Sequence, residues 1–242
     1  MTLIPVVFSL ALAALTVLIG KIRSADVIIA EFRWMSLAAG ISGAYAFLEL
    51  LPELHSAQNE LAQTGFPDVL HNEAYLLAFF GVTLFYVLEI VAIRSRRTGR
   101  DREGREHTSG GVFALHLVFF ALYYFLIGDI VAAVDEKGLA AALLFCIALA
   151  FHFFIIDEGL RHHHRVRYDR WGRWVLAAAL VLGTVNGMFS FAFSTMTALL
   201  WAFVAGGLIL NTLKEELPES KESCLPSFFV GAILFAILLQ VL

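Results

Sequence analysis

Residues 46–57, AFLELLPELHSA, close one long apolar run, and residues 210–220, LNTLKEELPES, close another; both contain the pattern ExLPE, at Glu49–Glu53 and Glu215–Glu219. Proline has no backbone N–H and its ring collides with the preceding turn, so each pattern predicts a helix end, at Pro52 and at Pro218. The first run is the second along the chain and the other is the seventh. If every run crosses a bilayer once, the two matching ends lie on opposite faces. That is the mark of an inverted repeat, helices one to three against six to eight with four and five between, an arrangement found in secondary transporters. Helix ends also gather proline and acidic residues for their own reasons, and that plainer reading of a five-residue match stays beside it.

Working outward, a spanning helix needs about 20 mostly apolar residues, each rising roughly 1.5 Å. Eight segments qualify: 3–20, 35–51, 74–93, 111–134, 138–157, 174–193, 195–213 and 225–242. The 242 residues are 60% hydrophobic and 16% charged, with a mean hydropathy of +0.79, which excludes an ordinary soluble domain. The runs are apolar throughout, without the alternation of lipid-facing strands, so helices are favoured over a barrel. The expected fold is an all-α, polytopic membrane protein with eight transmembrane helices. Its longest connection, Pro52 to Glu73, leaves no room for a second domain, so residues 1–242 form one transmembrane unit.

Charge sets the orientation. Every Lys and Arg except Lys137 falls in the odd-numbered connections: Lys21, Arg23 and Arg33, then residues 94–105, then 161–173, then Lys214 and Lys221. Glu49, Glu53, Glu60, Asp68 and Glu73 dominate the second connection. Basic residues stay on the cytoplasmic side of short loops, which predicts a cell-membrane protein with both termini outside. The first segment has no basic residues before it and reads as a retained helix, not a cleaved signal. Cys146 and Cys224 form neither a disulfide framework nor a CxxC motif. No phosphate-binding GxxxxGKS loop is present, and orientation accounts for the basic loops, so neither ATP-driven transport nor a nucleic-acid partner is expected. A zinc hydrolase needs several buried histidines and a carboxylate, whereas only His116 and His152 lie clearly within spans. The chain is therefore read as no enzyme, with no catalytic residue and no resident cofactor.

Small residues line the second segment (Ala38, Ala39, Gly40, Ser42, Gly43, Ala44) and the seventh (Ala205, Gly206, Gly207), where they allow close helix packing with or without a transport role.

With GISGAYAFLELLPEL at 40–54, AFVAGGLILNTLKEELPES at 202–220 and a long charged third connection, the whole chain resembles the ZIP family of divalent metal transporters. That family has eight helices in a three-two-three inverted arrangement with both termini outside. The resemblance implies that a divalent cation such as zinc passes between helices two, four, five and seven. It places the chain in the lipid bilayer and leaves a homodimer open. The family's fourth helix carries an HNxPEG-like motif; here HLVFFAL at 116–122 keeps His116 but has Leu117, Phe119 and Phe120 at the asparagine, proline and carboxylate positions. The fifth reads FFIIDEGL at 153–160, with Asp157 and Glu158 near the expected acid and apolar residues at the histidine and proline positions.

An ionisable side chain at the bilayer centre costs about 3 kcal/mol on insertion scales, so each is a functional candidate. His116, Asp157 and Glu158 form the candidate metal set, a reduced site suited to Zn, Mn or Fe. The competing reading makes Asp157 and Glu158 interfacial residues paired with Arg161, and leaves His116 a hydrogen bond to a neighbouring helix. His152 reads as a packing histidine. Asp129, roughly 20 Å along the helix from His116, reads as an interfacial carboxylate. Glu89 is expected to pair with Arg94, and Asn186 and Asn211 to bond between helices. His162, His163 and His164 stand among five arginines in 161–173 and read as part of a loop on anionic headgroups, not a metal collector. The residues at 94–110 read as a solvated loop. Two functions follow: a ZIP-like transporter of a divalent cation, or a transport-inactive scaffold or sensor or a carrier of another substrate.

Overall fold

The computed structural model describes residues 3–22, 28–63, 72–99, 108–134, 138–189, 194–211 and 224–241. All regular structure among them is helical. The helices are α1 (Ile4–Ile22), α2 (Ile28–Tyr45), α3 (Leu51–Gln63), α4 (Glu73–Thr98), α5 (Gly110–Val131), α6 (Leu139–Arg167), α7 (Arg173–Phe189), α8 (Ser194–Asn211) and α9 (Leu225–Val241). A π-turn, Ala46–Leu50, fuses α2 to α3, and another, Tyr168–Gly172, joins α6 to α7. Five stretches are long and apolar enough to cross a membrane: Arg33–Ala62, Glu73–Arg97, Gly110–Val131, Leu139–Arg161 and Tyr168–Phe189. Ile4–Leu18, Ala198–Leu210 and Leu225–Val241 are shorter apolar helices. These eight coincide with the eight runs of the sequence, and a multi-pass membrane protein is the result. Helices suit that solvent because each satisfies its backbone N–H and C=O groups within itself.

Local sequence sets several ends. The Ser109 side chain accepts the Val112 N–H at 3.3 Å and caps α5. Asn72, at φ 69°, turns the chain into α4. Gln58 of α3 reaches back to the same place, accepting the Ala74 N–H at 2.9 Å and donating to Glu73 at 3.0 Å. α3 is thereby tied along the start of α4.

Two predicted helix ends are corrected. The second helix does not stop at Pro52; it passes through the proline and continues to Gln63. Pro52 follows directly on the π-turn, in which Leu51 N–H bonds Ala46 O five residues back, so the α register is already broken where the proline's missing N–H falls. The other proline, Pro218, and its copy of ExLPE lie outside the described residues. The fifth helix likewise runs past Asp157 to Arg167, leaving helical geometry only at His164 (φ −131°, ψ 17°). His163 and His164 are therefore parts of a helix and its kink, not of a loop on the membrane surface.

Three helix pairs cross on glycines in one repeated geometry. A Cβ built on Gly40 of α2 would lie 2.2 Å from the carbonyl oxygen of Phe228 in α9, and one on Gly231 would lie 2.3 Å from that of Leu37. A Cβ on Gly81 of α4 would lie 2.4 Å from the Phe203 carbonyl oxygen of α8, and one on Gly206 would lie 1.9 Å from that of Ala78. A Cβ on Gly128 of α5 would lie 2.1 Å from the Leu180 carbonyl oxygen of α7, and one on Gly183 would lie 1.9 Å from that of Phe125. In each case the contacted carbonyl stands three residues before the partner glycine. Lipid tails give helices no hydrophobic reason to associate, so backbone-to-backbone approach of this kind, with its dispersion and Cα–H···O contacts, is a main source of association.

Candidate functional site

The buried ionisable groups gather between α5 and α6, in two separate networks and one pair. His116 is 2% exposed. Its Nε2–H donates to the Leu88 carbonyl of α4 at 2.7 Å, which in the neutral ring leaves Nδ1 to accept the Nε2–H of His164 at 3.2 Å. His164 Nδ1 in turn accepts the Thr108 hydroxyl. That hydroxyl also lies 3.2 Å from the His163 carbonyl, and Arg167 donates to the Thr108 carbonyl at 2.9 Å. Beside them His163 donates from Nε2 to Glu89 at 3.2 Å and receives Arg96 on Nδ1 at 3.5 Å. His164, the one residue of α6 that leaves helical geometry, stands in the middle of this chain of contacts.

The second network is built on Asp157, 1% exposed. Its Oδ1 accepts the hydroxyl of Tyr124 on α5 at 3.0 Å and the hydroxyl of Tyr168 in the second π-turn. Tyr124 is itself fixed by stacking on Phe153, ring centroids 4.2 Å apart. Two phenols on one carboxyl oxygen offset part of the cost of taking it out of water. Arg161 forms its ion pair with Asp169 at 3.0 Å. The reading of Asp157 as an interfacial carboxylate paired with Arg161 is therefore corrected. Asp157 belongs to the interior because α6 does not end there.

A buried pair lies deeper along α5: Tyr123 hydroxyl and His152 Nε2, 3.0 Å apart. Aromatic rings separate it from His116. Phe120 stands 6.1 Å from the His116 ring and 6.4 Å from that of Tyr123, and Phe85 meets both Phe120 and Tyr123 edge-on.

His116, Asp157 and Glu158 are thus not drawn into one cluster. His116 faces Leu88 and His164, Asp157 faces Tyr124 and Tyr168, and half-buried Glu158 occupies the next position of α6, about 100° round the helix from Asp157. Among the described residues no three of His, Cys, Asp and Glu come together in a way that would hold a metal ion. Glu89 meets His163, and Asp129, half-buried, accepts a 2.8 Å hydrogen bond from Asn186 of α7. The side chains of His162 and Asn211 lie outside the described residues.

The residues that sequence reasoning passed over are Thr108, Tyr123, Tyr124 and Tyr168. One signal was present: a tyrosine within an apolar run must find a partner for its hydroxyl, and the chain places Tyr123 and Tyr124 together in such a run. No model of a known protein family matches the chain, and no curated protein matches it.

Proposed function

We propose that the chain is a cation transporter of ZIP-like architecture. Its α1, α2 and α4 are the inverted counterparts of α7, α8 and α9, α5 and α6 lie between, and the path runs among α2, α5, α6 and α8. One observation carries the reading. Gly40 precedes Glu49 of the first ExLPE by the same interval as Gly206 precedes Glu215 of the second, and both glycines sit at the same crossing geometry against their partner helices. A sequence repeat and a packing repeat thus share one register. The two packings that carry this register agree with it: exchanging α2 with α8 and α4 with α9 turns α2·α9 into α8·α4, whereas α5·α7 maps onto the sparser packing of α1 on α6. Inverted repeats of this kind bind and move substrate at the interface between the halves.

A second reading has its own support. His116 and Asp157 are each tied down by hydrogen bonds instead of converging on a shared point. That favours a transport-inactive sensor or scaffold on the same architecture. The deciding test is uptake of zinc, manganese, iron and cadmium into proteoliposomes of the purified chain, beside His116→Ala and Glu158→Ala. Uptake lost in either variant establishes a divalent-metal path through those residues. Uptake indifferent to both keeps transport and moves the metal's route elsewhere. No uptake of any of the four metals sinks divalent-metal transport.

A further inference from the structure

Ser42 of α2 is 4% exposed, and its hydroxyl oxygen is buried with no hydrogen-bond partner. A buried hydroxyl left unpaired costs about 1–3 kcal/mol, so it calls for an account. Ser42 lines an internal cavity with Tyr45, Leu50, Leu149, His152 and Leu208. The space open to the centre of a water molecule there is about 10 Å³, the room of a single water. The cavity lies where the π-turn Ala46–Leu50 meets α6 and α8, and the wider register of that turn is itself a departure that recurs at functional positions.

Cavities of this size stay dry when their walls are apolar and fill when polar groups converge on them. Three of the lining residues carry polar groups, Ser42, Tyr45 and His152, and His152 already engages Tyr123 through Nε2. We propose that the cavity is a binding site for one water molecule, held by Ser42, Tyr45 and His152. The water supplies the partner that Ser42 otherwise lacks and links α2 to α6 deep in the bundle. It stands at the junction of three of the four helices assigned to the path; that last step rests on the transport reading, and the water site itself does not.

The test is radiolytic hydroxyl-radical labelling of the full chain in nanodiscs made with ¹⁸O water, read by mass spectrometry. Tyr45 and His152 are expected to take up label several-fold above Phe153, which is 0% exposed and stacked on Tyr124. Ser42→Val removes the hydroxyl and adds a methyl, so label at both residues should fall to the Phe153 level. Leu208→Phe fills the cavity from the α8 side and should do the same, and Phe153 remaining unlabelled in each variant shows that the bundle is intact. Wild-type Tyr45 and His152 labelled no more than Phe153, or all three labelled alike, would overturn the site. Labelling needs no cargo, so this outcome stands apart from that of the metal-uptake assay.

Discussion

The crossings of α2 with α9 and of α4 with α8 repeat one design, which α5 and α7 also share, while among the described residues the α5–α6 interior has no second copy. At the crossings, glycine backbones press on partner carbonyls in a shared register and side-chain chemistry is almost absent. Between α5 and α6 the reverse holds: His116, Tyr123 and Tyr124 from one helix meet His152, Asp157 and His164 from the other or from its kink. Packing by backbone approach tolerates no added atom, whereas a hydrogen-bond network tolerates exchange of one polar group for another. The two regions should therefore fail in different ways.

The largest expected effect breaks the first region. Gly206→Ala places a methyl 1.9 Å from the Ala78 carbonyl, and Gly40→Ala one 2.2 Å from that of Phe228. Neither backbone can yield without separating its helices, so each variant should lose about 3 kcal/mol or fail to fold. Gly43, on the same helix as Gly40, has nothing within 4 Å of its added Cβ. Gly43→Ala should cost nothing and gain up to about 1 kcal/mol from helix propensity. Thermal unfolding of the purified protein in detergent compares the three. Similar loss in Gly40→Ala and Gly206→Ala sharpens the equivalence of the two crossings. A tolerant Gly206→Ala would break it.

A smaller effect belongs to the second region. Asp157→Leu leaves the hydroxyls of Tyr124 and Tyr168 buried without their acceptor, an expected loss of about 2–3 kcal/mol, since each unpaired buried group costs about 1–3 kcal/mol. Asp157→Asn keeps a carbonyl oxygen in place of Oδ1 and should lose about half as much. The ordering of the two variants in the same unfolding assay is the measurement. Equal losses would mean that the site requires the carboxylate itself, and not merely an acceptor oxygen at that place.

The scaffold was largely legible in the sequence because hydropathy and proline report on single segments. Eight apolar runs became eight apolar helices, and the small residues noted in the second and seventh runs include the crossing glycines Gly40 and Gly206. Pro52 misled: a π-turn stands directly before it and the helix continues past it. The interior was much less legible. Asp157 stood open between a metal ligand and an interfacial residue near its helix end, and the ten residues beyond it bring both Asp169 to Arg161 and Tyr168 to Asp157. His164 stood among arginines and read as headgroup contact, yet a local kink buries it on His116. Contacts made by one residue leaving helical geometry leave no periodic trace, so spacing alone could not find them.

The α5·α7 pair combines both modes of packing and offers the finest comparison. It crosses on Gly128 and Gly183, and towards its far end Asp129 accepts the Asn186 side-chain N–H at 2.8 Å. Asn186 is exposed, so losing this bond lets water or lipid headgroups take its place, and Asn186→Ala should cost about 0.5 kcal/mol, the lower end for a hydrogen bond. Gly183→Ala on the same pair drives a methyl to 1.9 Å from the Phe125 carbonyl and belongs with the severe class. Combining Asn186→Ala with Asp129→Ala in a double-mutant cycle isolates the hydrogen bond from the packing around it. A coupling energy near zero would leave the glycine crossing as what holds α5 to α7. A coupling above about 1 kcal/mol would mean that the polar end contributes at a level the exposed geometry does not predict.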